Sequence, residues 1–301
     1  MKLSISTGSL ESRFGTAKTF RMMKEAGFDY ADYGLDTWHP DRASVLSSKS
    51  YRMSEEETVA HYKEVKQTAD EAGITIYQTH AIFGEFPACD CEEYVEATVK
   101  NIIATSILGC RYSVIHPVRT PGRFFDEKKE EGFAFNLRLF RRLLPYLEKY
   151  NVTIGIEPMW LDDENRVICP SVCSRPEEIL EFIELLGDKH FCACLDYGHV
   201  ALTGKGTGDT VEGAIRKLGD KMKIVHIHEV DGVWDNHNAP YTYPNVMNWD
   251  SIITAMKETK YTGTINFEVG NAYWGNYPDR LIPEALRHLA AIGKDMLDGI
   301  S

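Results

Sequence analysis

The sequence predicts an α/β chain folded as a (β/α)8 TIM barrel, a single domain over residues 1–301, and three observations carry that prediction. Strand-length apolar runs alternate with helix-like segments from end to end, and eight such strands can be counted. No Pro/Gly/Ser-rich linker or composition shift divides the chain, whose length suits one undivided barrel. The rival fold, an open doubly wound sheet, lacks its Gly-x-Gly-x-x-Gly signature after the first strand.

The expected strands are Leu3–Ser6, Asp29–Leu35, Thr75–His80, Tyr112–His116, Thr153–Glu157, Cys192–Asp196, Ile224–His228 and Ile265–Val269. Helix boundaries between them have recognisable chemistry. Ser54-Glu-Glu-Glu57 reads as a capping box opening a helix to about Ala72, closed by Gly73. Thr16–Ala26 ends at Gly27, and Pro176 opens a helix to Leu186 that stops at Gly187. Asp250 to about Lys257, and Pro278 to about Leu297, supply the last two helices.

Composition narrows the function class. Hydrophobic content of 43% with 11% aromatics suits a well-filled core. Acids outnumber bases 45 to 33, so a nucleic-acid partner is disfavoured and small-molecule chemistry is favoured. The longest apolar runs are strand-length, which argues against a membrane span, and the start lacks the pattern of a signal peptide. Seven cysteines without zinc-ribbon spacing read as reduced thiols of a cytoplasmic protein, with Cys192 and Cys194 packing inside the barrel.

Four of the runs end on an ionisable residue: Glu157, Asp196, His226 and Glu268. Side chains alternate along a strand, so Ile154 and Ile156 oppose Thr153 and Glu157, and Ile265, Phe267 and Val269 oppose Asn266 and Glu268. Isolated buried charges are costly, whereas charges that share a cation satisfy one another. The carboxyl ends of barrel strands face the active site, and six of ten histidines (80, 116, 199, 226, 228 and 237) fall at or just beyond such ends. For any single histidine, a hydrogen-bonded core or loop position is the plainer account. Jointly with three carboxylates they point to a metal centre.

Three carboxylates and one imidazole form a mostly hard donor set, suited to Mn²⁺, Mg²⁺ or Co²⁺, with Zn²⁺ as an alternative. Such a divalent metal ion can polarise the carbonyl and adjacent hydroxyl of a ketose or aldose and stabilise an enediolate. Glu157 and Glu268, three strands apart, are placed to act as base and acid, although both could serve only as ligands.

The motifs Leu195-Asp196-Tyr-Gly-His199, Val225-His226-Ile-His228-Glu229-Val-Asp231-Gly232, Asp235-Asn-His237 and Phe267-Glu268-Val269, in that order and spacing, resemble the xylose isomerase-like barrel superfamily. Within it the chain resembles the sugar phosphate isomerase/epimerase group, whose relatives include ketose 3-epimerases, inosose dehydratases and endonuclease-IV-like AP endonucleases. The resemblance spans Leu3 to about Leu297. It implies Glu157, Asp196, His226 and Glu268 as metal ligands, with Glu157 and Glu268 as the catalytic acid/base pair. It also implies that His199 contacts substrate in epimerases and binds zinc in the endonucleases. His80 and His116 match a further zinc position, as do Asp235 and His237. In sugar-acting relatives such residues bind substrate hydroxyls, and here His80, His116, His199, His228, Asp235, His237 and the neighbouring Trp160 are taken as substrate-binding with one metal filled.

Two departures qualify the ketose 3-epimerase label. The usual Pro-Gly-x-Gly stretch is replaced by Asn238-Ala-Pro-Tyr-Thr-Tyr-Pro244, and the arginine six residues after the metal histidine is Gly232. The substituted loop is aromatic (Trp234, Tyr241, Tyr243), and Trp160, Tyr273 and Trp274 follow nearby strands, suiting sugar stacking or a homo-oligomer contact. Trp38-His39-Pro40 is expected at the same mouth. Arg119 and Arg123 are the basic pair nearest the site, with no phosphate-cradling Gly-rich loop, and the charge run Asp126–Glu131 reads as a solvated face. The expected activity is sugar isomerisation or epimerisation on a small-molecule substrate. A dehydratase of a cyclic polyol ketone, a phosphodiesterase on abasic DNA and an idle sugar-binding barrel are the alternatives.

Overall fold

The computed structural model of the chain describes residues 1–119, 125–162 and 167–301, with side chains of the second segment described from 130 onward. Arg123 and most of the Asp126–Glu131 charge run therefore lie outside the described side chains.

Eight parallel strands form the barrel: β1 (Leu3–Ser6), β2 (Tyr30–Gly34), β3 (Thr75–His80), β4 (Tyr112–Ile115), β5 (Thr153–Ile156), β6 (Phe191–Asp196), β7 (Met222–His226) and β8 (Ile265–Phe267). Neighbours in sequence are neighbours in space, and a bridge from Ile227 to Phe267 joins β7 to β8. The main helices follow the strands: α1 (Thr16–Ala26), α2 (Glu55–Ala72), α3 (Glu92–Ile107), α4 (Phe125–Tyr150), α5 (Pro176–Leu186), α6 (Val211–Leu218), α7 (Trp249–Glu258) and α8 (Ile282–Ile300). Shorter helices, including Tyr197–Thr207, lie in the loops.

The boundary chemistry acts as its residues suggest. Ser54 and Glu57 form a reciprocal capping box at α2, and Gly73 ends it in the left-handed conformation at φ 70°. The final helix is the exception. Pro278 precedes a short 3-10 turn at Asp279–Leu281, and α8 begins at Ile282 with Pro283 in its first turn. Arg13 clamps that turn by pairing with Asp279 and donating to the Tyr277 carbonyl, so the chain is held before the helix starts.

The alternation of the strands sets two cores. Outward residues such as Ile154, Ile156, Val225 and Phe267 are fully buried among the helices. Inward, Val114, Cys194 and Ile224 form a separate plug flanked by Tyr77 and Tyr112. Gly155 makes room for it, since a Cβ there would stand 2.5 Å from Ile224 Cδ1. Above this plug the interior turns polar.

Candidate metal centre and cavity

Each ionisable group stands where its strand ends. Glu157 follows β5 directly, Asp196 and His226 are the last residues of β6 and β7, and Glu268 follows β8. Their ligand atoms all lie within 4.8 Å of one another. His226 Nδ1 is 3.1 Å from Glu268 Oε2, 3.3 Å from Glu157 Oε2 and 3.8 Å from Asp196 Oδ2. Glu157, Asp196 and His226 are at most 1% exposed, whereas the Glu268 side chain keeps 19% of its surface and faces the cavity.

Backbone and neighbouring side chains fix these groups. Asp196 caps the helix Tyr197–Thr207 through a 2.7 Å bond from the His199 amide to its Oδ1, and His228 Nε2 stands 3.0 Å from the same oxygen. His228 fits only because residue 198 is glycine, since a Cβ there would overlap the imidazole. His199 Nδ1 donates to the Pro158 carbonyl at 2.8 Å, leaving Nε2 3.2 Å from Asp235 Oδ2. That oxygen is also approached by His237 Nε2 at 3.3 Å and receives the Trp160 indole N–H at 3.2 Å. His80 and His116 meet at 3.0 Å through their Nε2 atoms, with His116 3.1 Å from Glu157 Oε2.

The charges are interlocked. Burial disfavours the charge on Glu157, yet the positive His226, together with the His116 ring nitrogen 3.1 Å away, holds the carboxyl well below its usual range. Glu268 is likewise lowered against burial by His226 and His237. Burial opposes the charge on His199, but Asp196 and Asp235 push it up to about 10. His226 and His237 are raised well above the ordinary imidazole value against the same opposition, by Glu268 and Glu157 in one case and Asp235 in the other. Burial prevails at His116, which is lowered. Cys194 also offers its sulfur within 4.8 Å of Glu157 and His226, but burial pushes the thiol far up, so it stays neutral packing.

Above the four groups lies a cavity of about 440 Å³. His80, His116, Glu157, His199, Asp235, His237 and Glu268 line it, together with Trp38, Phe83, Met159, Trp160 and Arg119. Thus Trp38 and Trp160 stand at the mouth as their positions imply. His228 does not line it: the residue is wholly buried against Asp196 and stacked on His237 at 3.9 Å, so its place beside the substrate is not what the geometry gives. Trp234, Tyr241, Tyr243, Tyr273 and Trp274 are also absent from the described lining. Trp274 is buried with its indole N–H on Ser9, and Tyr243 receives bonds from Asn236 and Asn238. Arg119 is engaged already, pairing with Glu85, donating to the Trp160 carbonyl at 3.0 Å and lying over the Trp160 ring.

Two buried acids escaped the sequence reading. Glu229 accepts from the Thr242 and Tyr243 amides and the Trp249 indole, anchoring the substituted loop downstream of Asp235 and His237. Asp32, on β2, lies 3.1 Å from His226 Nε2. In the sequence only its place in mid-strand between the apolar Ala31 and Tyr33 hints at it, and burial of all three makes the hint visible.

Residues 20–292 match the family described as xylose isomerase-like TIM barrel, and the chain belongs to that family. The uncharacterized protein y4fM of Sinorhizobium fredii is 23% identical over 284 residues, covering 84% of this chain and 81% of that protein. Among solved structures, D-psicose 3-epimerase superimposes with a TM-score of 0.71 at 17% identity, covering 99% of each chain. The 3-keto-D-glucoside 4-epimerase YcjR of E. coli gives 0.68 at 15% identity over 97% of this chain and 99% of its own. Such identities speak to the shared fold. Among the described residues no helix is long and apolar enough to cross a membrane.

Proposed function

We propose that the protein is a divalent-metal-dependent sugar isomerase or epimerase that moves a proton at the carbon beside a carbonyl. The observation that carries this reading is the convergence of Glu157, Asp196, His226 and Glu268 at one point beneath a polar cavity. Buried Glu157 Oε2 and His226 Nδ1 have no hydrogen-bond partner there, which is the state expected of atoms meant for a cation. Three carboxylates with one imidazole fit Mn²⁺, Mg²⁺ or Co²⁺. A bound ion would supply Lewis-acid polarisation of the substrate carbonyl and its neighbouring hydroxyl.

The chain's own groups do the rest. Glu157 and Glu268 are held ionised, so either can accept a carbon-bound proton and return it. His80, His116, His199, Asp235 and His237 offer donors and acceptors to hydroxyls, and Trp160 presents an aromatic face because its N–H is already bonded to Asp235. The names of the similar solved structures, sugar 3- and 4-epimerases, support the substrate class. Incubation with a panel of ketoses and aldoses in D₂O should give deuterium at one carbon only when Mn²⁺, Mg²⁺ or Co²⁺ is present. Exchange that persists after chelation, or none across the panel, contradicts the reading.

A second reading is favoured by the flanking clusters. His80, His116 and Glu157 form one potential ligand group, and His199, His228, Asp235 and His237 another, each within 4.8 Å. Three adjacent metals would suit phosphodiester hydrolysis of abasic DNA. The formal charge of −12 opposes it. Zinc-dependent nicking of an abasic duplex, without sugar turnover, would establish this alternative.

A further inference from the structure

One buried acid has no part in the cavity and none in the four-ligand set. Asp32 sits on β2, 1% exposed, in register with Ser6 of β1 and Gln78 of β3. Its Oδ2 accepts from the side-chain amides of Gln78 and Asn266, both at 3.1 Å, and the Nε2 of His226 approaches the same oxygen at 3.1 Å. Three nitrogens on three strands thus converge on one carboxylate oxygen. As a simple core feature this is expensive, because a buried carboxylate surrounded by neutral amides lacks a permanent countercharge.

The imidazole of His226 explains the expense. Its Nδ1 faces Glu157 and Glu268, and its Nε2 faces Asp32. A neutral imidazole has one donor and one acceptor nitrogen. With Nε2 protonated, its N–H faces Asp32 at 3.1 Å and the Nδ1 lone pair faces the point between Glu157 and Glu268 where a cation would sit. The opposite tautomer would put a proton where the cation has to bind and leave Asp32 facing a lone pair. We propose that Asp32 is a positioning residue that holds His226 in the Nε2–H tautomer, leaving Nδ1 free to ligate the cation. This rests on the metal reading above and adds to it the residue outside the ligand set that orients the imidazole. Gln78 and Asn266 in turn keep the Asp32 carboxylate from rotating, by holding the oxygen that His226 uses.

The test is Mn²⁺ titration of the full chain, by calorimetry and by loss of the free-ion EPR signal, in wild type and Asp32→Asn. An asparagine side chain can accept from Nε2–H or donate to a bare Nε2, so it removes the tautomer preference at nearly constant volume. Wild type should bind Mn²⁺, and Asp32→Asn should bind it roughly 10–100-fold more weakly, with the metal-free melting temperature within a few degrees of wild type. Equal affinities in the two proteins overturn the inference and leave the metal reading standing, as does a fall in the metal-free melting temperature with affinity unchanged. If wild type binds no divalent ion, the metal reading falls and this inference with it. Should Asp32→Asn not fold, histidine-selective ¹⁵N spectra of zinc-loaded wild type decide the matter, with the His226 signal identified by its loss in His226→Gln. Protonation at Nε2 supports the assignment, and protonation at Nδ1 overturns it.

Discussion

Two layers of the barrel interior, one step apart along the same strands, are opposite in chemistry. In the lower layer Val114, Cys194 and Ile224 are wholly buried and touch one another. Two residues further along those three strands stand His116, Asp196 and His226. The period of two puts each ionisable group directly above an apolar one on the inward face. Below, Val114, Cys194 and Ile224 pack on one another, and Gly155 is small so that Ile224 can fit. Above, buried atoms such as Glu157 Oε2 and His226 Nδ1 are left without partners. One layer is finished by folding, and on the proposed reading the other is finished by a bound cation. The lower layer also closes the site from beneath, so a cation has access from the cavity side alone.

The largest way to break this contrast acts on the upper layer. Glu157→Gln or Glu268→Gln should reduce deuterium exchange into substrate by roughly 10²–10⁴-fold, the usual worth of a positioned acid or base. A variant that exchanges at the wild-type rate removes that residue from the proton path. The lower layer should respond in stability instead. Ile224→Ala opens a void beneath the site and should cost about 2–5 kcal/mol in denaturant unfolding, with Mn²⁺ affinity little changed. If affinity fell as steeply as stability, the two layers would be one unit and the contrast would fail.

Metal should stabilise in the complementary way. At a free concentration one hundred times the Kd, a divalent ion should add about 2.7 kcal/mol to unfolding, and EDTA should return the protein to its metal-free stability. Asp196→Ala should abolish the gain, whereas Ile224→Ala should keep it.

The smallest effect sharpens the electrostatic half of the comparison. Without metal, His199 is raised to about 10, so the folded chain holds a proton that the unfolded chain releases near the ordinary histidine value. Its contribution is complete below about pH 6.5 and is lost as pH rises toward 10. His226 and His237, raised likewise, add to the same decline. Glu157, Glu268 and Asp235 are lowered, so their contribution is present above the ordinary carboxylate range and fades only in strong acid. Metal-free melting temperature should therefore fall between pH 6.5 and 10. A flat profile there would contradict the raised proton affinity of these three histidines.

How much of this was legible in the sequence follows from the same alternation. Glu157, Asp196, His226 and Glu268 stood out because each ends an apolar run, and the structure brings their ligand atoms together. Asp32, Gln78 and Asn266 did not, because polar residues alternating with apolar ones in mid-strand look like an ordinary solvent-facing edge until the barrel closes around them. The motif around His228 suggests a substrate contact, but as the second residue beyond β7 it turns down onto Asp196 rather than out into the cavity. Glu229 looked like one more acid in that motif, and only the folded loop reveals the three donors it collects. Pro278 points to a helix start ahead of the one at Ile282, because a proline marks a 3-10 turn as readily as a first helical turn.

The proposed function depends first on a divalent cation held by Glu157, Asp196, His226 and Glu268. Crystals grown with Mn²⁺ and measured near the manganese absorption edge test it most directly. An anomalous peak bonded to one oxygen or nitrogen from each of those four side chains, with remaining positions open to the cavity, is the expected result. A peak bound elsewhere, or four side chains drawn apart around no ion at saturating Mn²⁺, would contradict it.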